Sequence, residues 1–173
     1  MKDERAFSLV ELIAAITIMG ILLLVAIPNI TRSVEKNQKT TYVHDAQKLI
    51  TVAKKRYKED TTIAEPTTTR CLVFTLKDLE LTDLKGPNDG EYNSRYSYVT
   101  ITYDASTNKY SYGVQLLETY GKQSKSHRGI TYIKDANQTT LVRSKVEQIS
   151  QTADKYTSLT DLSSGMGSNC TGG

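Results

Sequence analysis

The sequence predicts an α+β fold in which one long N-terminal helix packs on a small antiparallel β-sheet domain. Three observations favour this fold. An apolar run extends from Phe7 to Ile27, an apolar stripe with helical spacing extends from Tyr42 to Tyr57, and alternating strand-like segments follow residue 97. Three- and four-residue spacing indicates one face of a helix, whereas strict alternation indicates a strand with one buried face.

The apolar run has the length of a membrane span, because about 21 residues at 1.5 Å each cover about 30 Å. A secretory signal peptide is one alternative, but its apolar region would be shorter and a small-residue cleavage site would follow. A plain signal anchor is another, and it leaves Glu11, Pro28 and the short leader unexplained. A buried core helix is the third, although such helices carry polar positions over this length.

Glu11 is the one charge inside this run. A charge at the centre of a membrane helix costs roughly 2.5–3.5 kcal/mol, so a partner is expected for it. Glu11 lies one helical turn after Phe7, and a cut before Phe7 would create an α-ammonium group at the helix tip. The flanking charges orient the run only weakly, because Lys2 and Arg5 on one side are matched by basic residues on the other.

The segments from Ala6 to Ile13 and from Met19 to Pro28 resemble the class III signal of type IV pilins and pseudopilins. In that family a short leader is removed before a phenylalanine, and a glutamate and often a proline follow at fixed offsets. Counted from Phe7, Glu11 and Pro28 occupy those two positions. Ala6 departs from the family pattern, which usually has glycine before the cut.

The resemblance implies a pilin fold and a structural subunit of a type IV pilus or a type II secretion-like pseudopilus, with no enzymatic activity and no cofactor. Prepilin peptidase would cut between Ala6 and Phe7 and methylate the Phe7 nitrogen. Glu11 would then pair with the Phe7 ammonium of a neighbouring subunit. The implied segments are a leader (1–6), a membrane and fibre-core helix (7–28), the amphipathic half of that helix (29–60), and a globular sheet domain with a C-terminal tail (61–173).

The implied partners are other copies of the chain, related pilins, prepilin peptidase, the pilus assembly platform with its ATPase, and the membrane. The expected location is a single-pass membrane protein with its domain outside the cytoplasm, and then a cell-surface or extracellular fibre. A protein of another class stays open: an uncleaved, membrane-anchored extracellular binding or scaffold protein. An unmodified Met1 would distinguish it from a pilin.

Cys71 and Cys170 have no close-spaced metal-ligand pattern. In an exported domain they most simply form one disulfide, which would hold the tail against the start of the globular region. A loop of that length would stabilise the fold by roughly 4–5 kcal/mol in the chain-entropy model. Two free thiols are the alternative.

The remaining elements are read from local patterns. Pro28 predicts a kink or local melt of the helix between Gly20 and Pro28. Residues 72–81 fit a strand or a short helix, with a short helix or turn favoured over Thr75–Leu81. Leu141–Ile149 has helical spacing, but its β-branched residues leave a strand open as well. Strands are predicted over Tyr98–Tyr103, Tyr110–Leu116 and Gly129–Ile133, the first two forming a hairpin.

No catalytic or metal site is predicted. His44 and His127 lie in no nucleophile or metal pattern, and the loop from Asp104 to Asn108 lacks a full calcium-ligand series. The basic cluster Lys54–Lys58 is read as a solvated helix face rather than a nucleic-acid site, consistent with a net charge of only +3. Residues 137–139 and 169–171 match the N-glycosylation acceptor pattern, which is short enough to arise by chance.

Overall fold

The structure, a computed structural model, describes residues 8–88, 90–94, 96–118, 127–149 and 171–172. The chain divides into two compact units, Met1–Asn37 and Gln38–Gly173. Its elements are α1 (Leu9–Glu59), β1 (Leu72–Thr75), β2 (Tyr98–Asp104), β3 (Lys109–Glu118), β4 (His127–Ile133), a 3-10 turn (Arg143–Lys145), β5 (Val146–Ile149) and β6 (Thr171–Gly172).

The first part of α1, from Leu9 to Val34, is called the stem. Its large apolar side chains are about half to three-quarters exposed, from 49% at Val34 to 76% at Leu9. Helix α1 is unbroken through Pro28, so the local melt is wrong, and the alternative of a kink stays a prediction. Proline removes a single N–H donor, and the flanking helical bonds hold the backbone in register. Among the described residues α1 alone is long and apolar enough to cross a membrane.

The second unit contains a six-stranded sheet with the order β5-β4-β3-β2-β1-β6. The first five strands in this order pair antiparallel, and β6 lies parallel to β1. The predicted hairpin is β2–β3, with Val99 opposite Val114 and Ile101 opposite Tyr112. The predicted strand at Gly129–Ile133 lies within β4, so the predicted strands are confirmed.

Local patterns leave two segments open between strand and helix, and the structure decides both; the turn favoured over Thr75–Leu81 is confirmed. Leu72–Thr75 is a strand, and the chain turns directly after it, where the Thr75 N–H donates to Asp78 Oδ2 (2.7 Å). Leu141–Ile149, the second open segment, contains β5 in its second half, where it pairs with β4. Backbone pairing with a distant strand outweighed the weak helical spacing of a β-branched segment.

The core lies between the second part of α1 and the sheet. Five helix residues at the predicted spacing are at most 5% exposed, and they share one cluster with the inward-facing residues of β2 and β3. The α+β fold with a long N-terminal helix on an antiparallel sheet is therefore confirmed, and the arrangement is consistent with the pilin fold. The five helix residues are Tyr42, Ala46, Leu49, Ile50 and Ala53.

Candidate functional site

Helix α1 begins with a capping box built from Ser8 and Glu11. The Ser8 N–H donates to Glu11 Oε2 (2.9 Å), and the Glu11 N–H donates to Ser8 Oγ (3.2 Å). The first turn of a helix leaves its N–H groups without intrahelical partners, and this reciprocal pair satisfies two backbone donors. The carboxylate also sits at the end of α1 where the helix dipole is positive.

The capping box gives Glu11 a hydrogen-bond partner in its own chain, in addition to the ammonium partner that the resemblance implies. The segment Ser8-Leu9-Val10-Glu11, at the start of the apolar run, has the spacing that predicts a capping box. The bond from Ser8 orients the carboxylate but brings no counter-charge. Glu11 is exposed, and it forms no ion pair among the described residues.

Of the other predicted assembly and processing residues, the structure describes Pro28 only. Pro28 lies inside α1 between the exposed side chains of Ile27 (54%) and Ile30 (60%), on the apolar stem. Ala6 and Phe7, the predicted cleavage pair, lie outside the described residues. The site therefore consists, in the described part of the chain, of a capped glutamate at the start of an exposed apolar helix.

Sequence reasoning missed a second polar site, the buried carboxylate of Glu118 at the end of β3 (1% exposed). Its oxygens accept hydrogen bonds from the Tyr42 hydroxyl, the Asn88 N–H (3.0 Å), the Asn88 Nδ2 (2.9 Å) and the Gly90 N–H (2.9 Å). Its donors come from α1 and from the turn around residue 88, so one side chain ties three parts of the domain together. We call Glu118 and these three donor residues the Glu118 cluster.

A second buried pair extends the Glu118 cluster along α1. The Tyr92 hydroxyl donates to Asp45 Oδ2 (2.7 Å), and the rings of Tyr42 and Tyr92 meet edge to face at 6.2 Å. Burial raises the pKa of both tyrosines, and hydrogen bonding to Glu118 and Asp45 respectively adds to the shift. The contacts are satisfied within the chain, which indicates a structural role for these buried groups.

Cys71 is buried (1% exposed), and it is not a free thiol in the structure. The parallel pairing of β6 with β1 sets Thr171 opposite Leu72, so the C-terminal segment lies beside the strand that follows Cys71. Cys170 lies outside the described residues. The Cys71–Cys170 disulfide therefore stays a prediction.

The remaining candidates make contacts within the domain. In the basic cluster, Lys55 lies 3.9 Å from Glu59, Arg56 lies 3.8 Å from Asp60, and Lys54 lies over the Tyr112 ring at 4.3 Å. The two i,i+4 ion pairs are typical of a solvated helix face, whereas Lys54 contacts the sheet. His44 is exposed, 3.9 Å from Asp45, whereas only the backbone of His127 is described, in β4. Asp104 accepts hydrogen bonds from Ser106 and Thr107 within the hairpin loop.

Comparison with known protein families gives a match that covers the N-terminal residues of the chain. Residues 1–27 match the family described as the prokaryotic N-terminal methylation motif. This motif is the class III signal of type IV pilins and pseudopilins, so the chain has the N-terminus of a pilin-type prepilin. The motif is typical of structural proteins that assemble with other pilins and the pilus machinery. No curated protein and no solved structure matches the chain.

Proposed function

We propose that this chain is a prepilin that becomes a structural subunit of a type IV pilus or a type II secretion-like pseudopilus. The observation that carries the proposal is the methylation motif at residues 1–27, located on an exposed apolar helix that is joined to a helix-on-sheet domain. Prepilin peptidase cuts between Ala6 and Phe7 and methylates the new N-terminus. The proposed segments are 1–6, 7–28, 29–60 and 61–173.

The stem explains why such a chain would polymerise. Its apolar side chains, such as Leu9, Leu22 and Leu24, are 64–76% exposed, and a contiguous apolar surface of this kind needs lipid or another apolar surface against it. In the membrane the lipid supplies that surface, with the sheet domain outside the cytoplasm. In a fibre, the stems of other copies and of related pilins supply it, after the assembly platform and its ATPase have extracted the subunit.

The capping box gives Glu11 a defined place in this assembly. Ser8 and Glu11 both follow the proposed cut, so the capping box can persist in the mature chain. The Ser8 N–H engages only Oε2 of the carboxylate, in the described part of the chain. The other oxygen is then positioned to accept the ammonium group of Phe7 from a neighbouring subunit. A buried pair of this kind sets the register between subunits more than it adds stability.

Two substitutions separate the capping role from the charge. Glu11→Gln keeps an acceptor for the Ser8 N–H, since glutamine also serves in capping boxes, but it removes the negative charge. Ser8→Ala removes the hydroxyl acceptor and keeps the charge. If the Glu11 charge fixes register, Glu11→Gln should abolish sheared surface fibres while Ser8→Ala retains most of them. The amount of membrane-bound subunit, measured by immunoblot, should be the same for both variants.

Mass spectrometry of the N-terminus tests the proposal itself. A methylated Phe7 as first residue is the expected result, and it would be found in membranes as well as in fibres. An unprocessed Met1 in cells that contain an active prepilin peptidase would overturn the proposal. Wild-type amounts of fibre from Glu11→Gln would contradict the role of the charge but leave the processing result standing.

We also propose that Cys71 and Cys170 form a disulfide. Support comes from the buried position of Cys71 and from the pairing of Thr171 with Leu72, which brings the C-terminal segment to β1. Export of the domain supplies the oxidising surroundings that such a bond requires. The disulfide would close a loop that contains most of the sheet, so that the short β6 stays paired.

A further inference from the structure

Three segments of the chain match the N-glycosylation acceptor pattern, and the structure separates them. Asn29-Ile30-Thr31 lies inside the continuous helix α1, where the Thr31 hydroxyl donates to the backbone carbonyls of Ile27 and Pro28. Asn169-Cys170-Thr171 falls mostly outside the described residues. Asn137-Gln138-Thr139 alone, among the described residues, lies in an exposed turn outside any helix or strand.

This turn projects from the domain between two anchored points. Ala136 (8% exposed) and Leu141 (2% exposed) belong to the core, and the Ala136 N–H donates to the Tyr112 carbonyl (2.6 Å). The residues between these anchors are exposed at positions 137–139 and half-buried at Thr140. A large substituent on the Asn137 side chain would therefore extend into solvent and leave the core packing unchanged.

The hydrogen bonds of the turn orient the acceptor amide. Asn137 Oδ1 accepts hydrogen bonds from the Thr139 N–H (2.8 Å), the Thr139 hydroxyl (2.6 Å) and the Thr140 N–H (3.1 Å). Its Nδ2 donates one hydrogen bond to the Asp135 carbonyl (3.2 Å). The second Nδ2 hydrogen has no partner among the described residues, so the nitrogen stays accessible.

This arrangement suits reaction at nitrogen. A carboxamide nitrogen is a weak nucleophile because its lone pair is delocalised onto the oxygen. As Nδ2 loses a proton, negative charge develops on Oδ1, where three donors already point, and preorganised donors stabilise such charge. The Thr139 hydroxyl is one of the three, which gives the third residue of the pattern a direct physical role at this site.

We propose that Asn137 is an N-glycosylation site that accepts an oligosaccharide from a polyprenyl-pyrophosphate donor. In the transfer, Nδ2 loses one proton to a base of the transferase and bonds to the sugar C1. The bond between C1 and the pyrophosphate oxygen breaks, and the polyprenyl pyrophosphate leaves with that electron pair. The inference rests on the proposed location of the domain outside the cytoplasm, where it meets such a transferase.

The test expresses the full chain in a bacterium that contains an oligosaccharyltransferase, a lipid-linked oligosaccharide of known mass and an exported reporter glycoprotein. Trypsin then places the three patterns on separate peptides, because Arg5, Arg32, Lys134, Arg143 and Lys155 delimit residues 6–32, 135–143 and 156–173. We expect the glycan mass on the 135–143 peptide and no glycan on the 6–32 peptide, whose acceptor pattern lies inside helix α1.

Matched variants examine the chemistry at the site. Asn137→Gln and Thr139→Val should each abolish the modified peptide, whereas Thr139→Ser, which keeps the hydroxyl, should retain it. Thermal melting of each variant shows that the domain has folded. An unmodified 135–143 peptide beside a modified reporter and an exported domain would overturn the proposal, as would full modification of Thr139→Val.

The same digest keeps this result separate from the proposed function. Processing converts the 6–32 peptide into a methylated peptide that starts at Phe7, whatever happens at Asn137. Protease accessibility of the sheet domain in spheroplasts reports export independently. A processed and exported chain without a glycan would therefore contradict only the glycosylation site.

Discussion

Glu118 shows how a single residue can connect distant parts of this chain. Its side chain bonds to Tyr42 in α1 and to the turn at Asn88 and Gly90. A Cβ atom at Gly86 would lie 2.3 Å from the Glu118 carboxylate carbon, so the turn can approach the side chain only with glycine there. Each of the four donors points at the carboxylate, which is an acceptor-only group when ionised.

Replacing this carboxylate should weaken the domain. Glu118→Gln sets an NH2 group against the Glu118 cluster's donors, and we expect the free energy of unfolding to fall by about 2–4 kcal/mol. Glu147→Gln, an exposed residue on β5, is the matched control and should change stability little. Thermal melting followed by circular dichroism of the full chain in detergent checks both variants, and equal melting temperatures would refute the role of Glu118.

The tyrosines predict a loss of stability at alkaline pH. Burial raises the pKa of Tyr57 to about 12, and its hydrogen bond with Tyr110 adds to the shift. A tyrosine in the unfolded chain loses its proton at about pH 10. Above that pH the folded chain therefore binds more protons than the unfolded chain. Folding stability is therefore full below about pH 10 and falls towards about pH 12. Melting curves across that window should show a smaller fall for Tyr57→Phe, and identical falls would contradict the assignment.

At the scale of elements, strands β3 and β4 approach each other unusually closely at Gly129. A Cβ atom at this position would lie 2.1 Å from the Leu116 carbonyl oxygen, beside the register shift between Val114 and Leu116. Backbone cannot move aside as a side chain can. This pairing therefore requires glycine, and the requirement comes from a neighbouring strand rather than from the local conformation.

Gly129→Ala should consequently separate β3 from β4. Overpacking of this kind typically costs about 1–3 kcal/mol, so we expect the free energy of unfolding of the full chain to fall by at least that amount and its melting temperature to fall with it. Gly20→Ala is the control, because a Cβ atom there meets nothing within 4 Å and alanine favours a helix. A Gly129→Ala chain as stable as wild type would contradict the close approach.

The capping box shows a limit of element-level sequence reasoning. Ser8 and Glu11 stand three residues apart, so the capping-box spacing predicts their pairing from the sequence alone. By contrast, the donors to Glu118 lie 28 to 76 residues away along the chain, and no local sequence pattern predicts these contacts. Contacts between residues that are close in sequence can therefore be predicted from a local pattern, whereas contacts between distant residues require the tertiary structure.

At the scale of the whole molecule, the proposed disulfide makes a direct prediction. Under non-reducing conditions the exported chain should contain no free thiol, and reduction should expose two. Cys170→Ser should lower the stability of the domain by roughly 4–5 kcal/mol in the chain-entropy model, and Cys71→Ser by at least as much. Alkylation with mass spectrometry counts the thiols, and two free thiols in the exported, unreduced protein would rule the bond out.

The sequence by itself determined the parts of this protein whose information is local. The methylation motif, the apolar stem, the Tyr42–Tyr57 stripe and the β2–β3 hairpin each follow from spacing within a short segment. Only the tertiary structure decided that Leu72–Thr75 and Val146–Ile149 are strands and that Glu118 is buried. Short strands and buried carboxylates are stable only against partners from distant segments, and those partners are brought together by the fold.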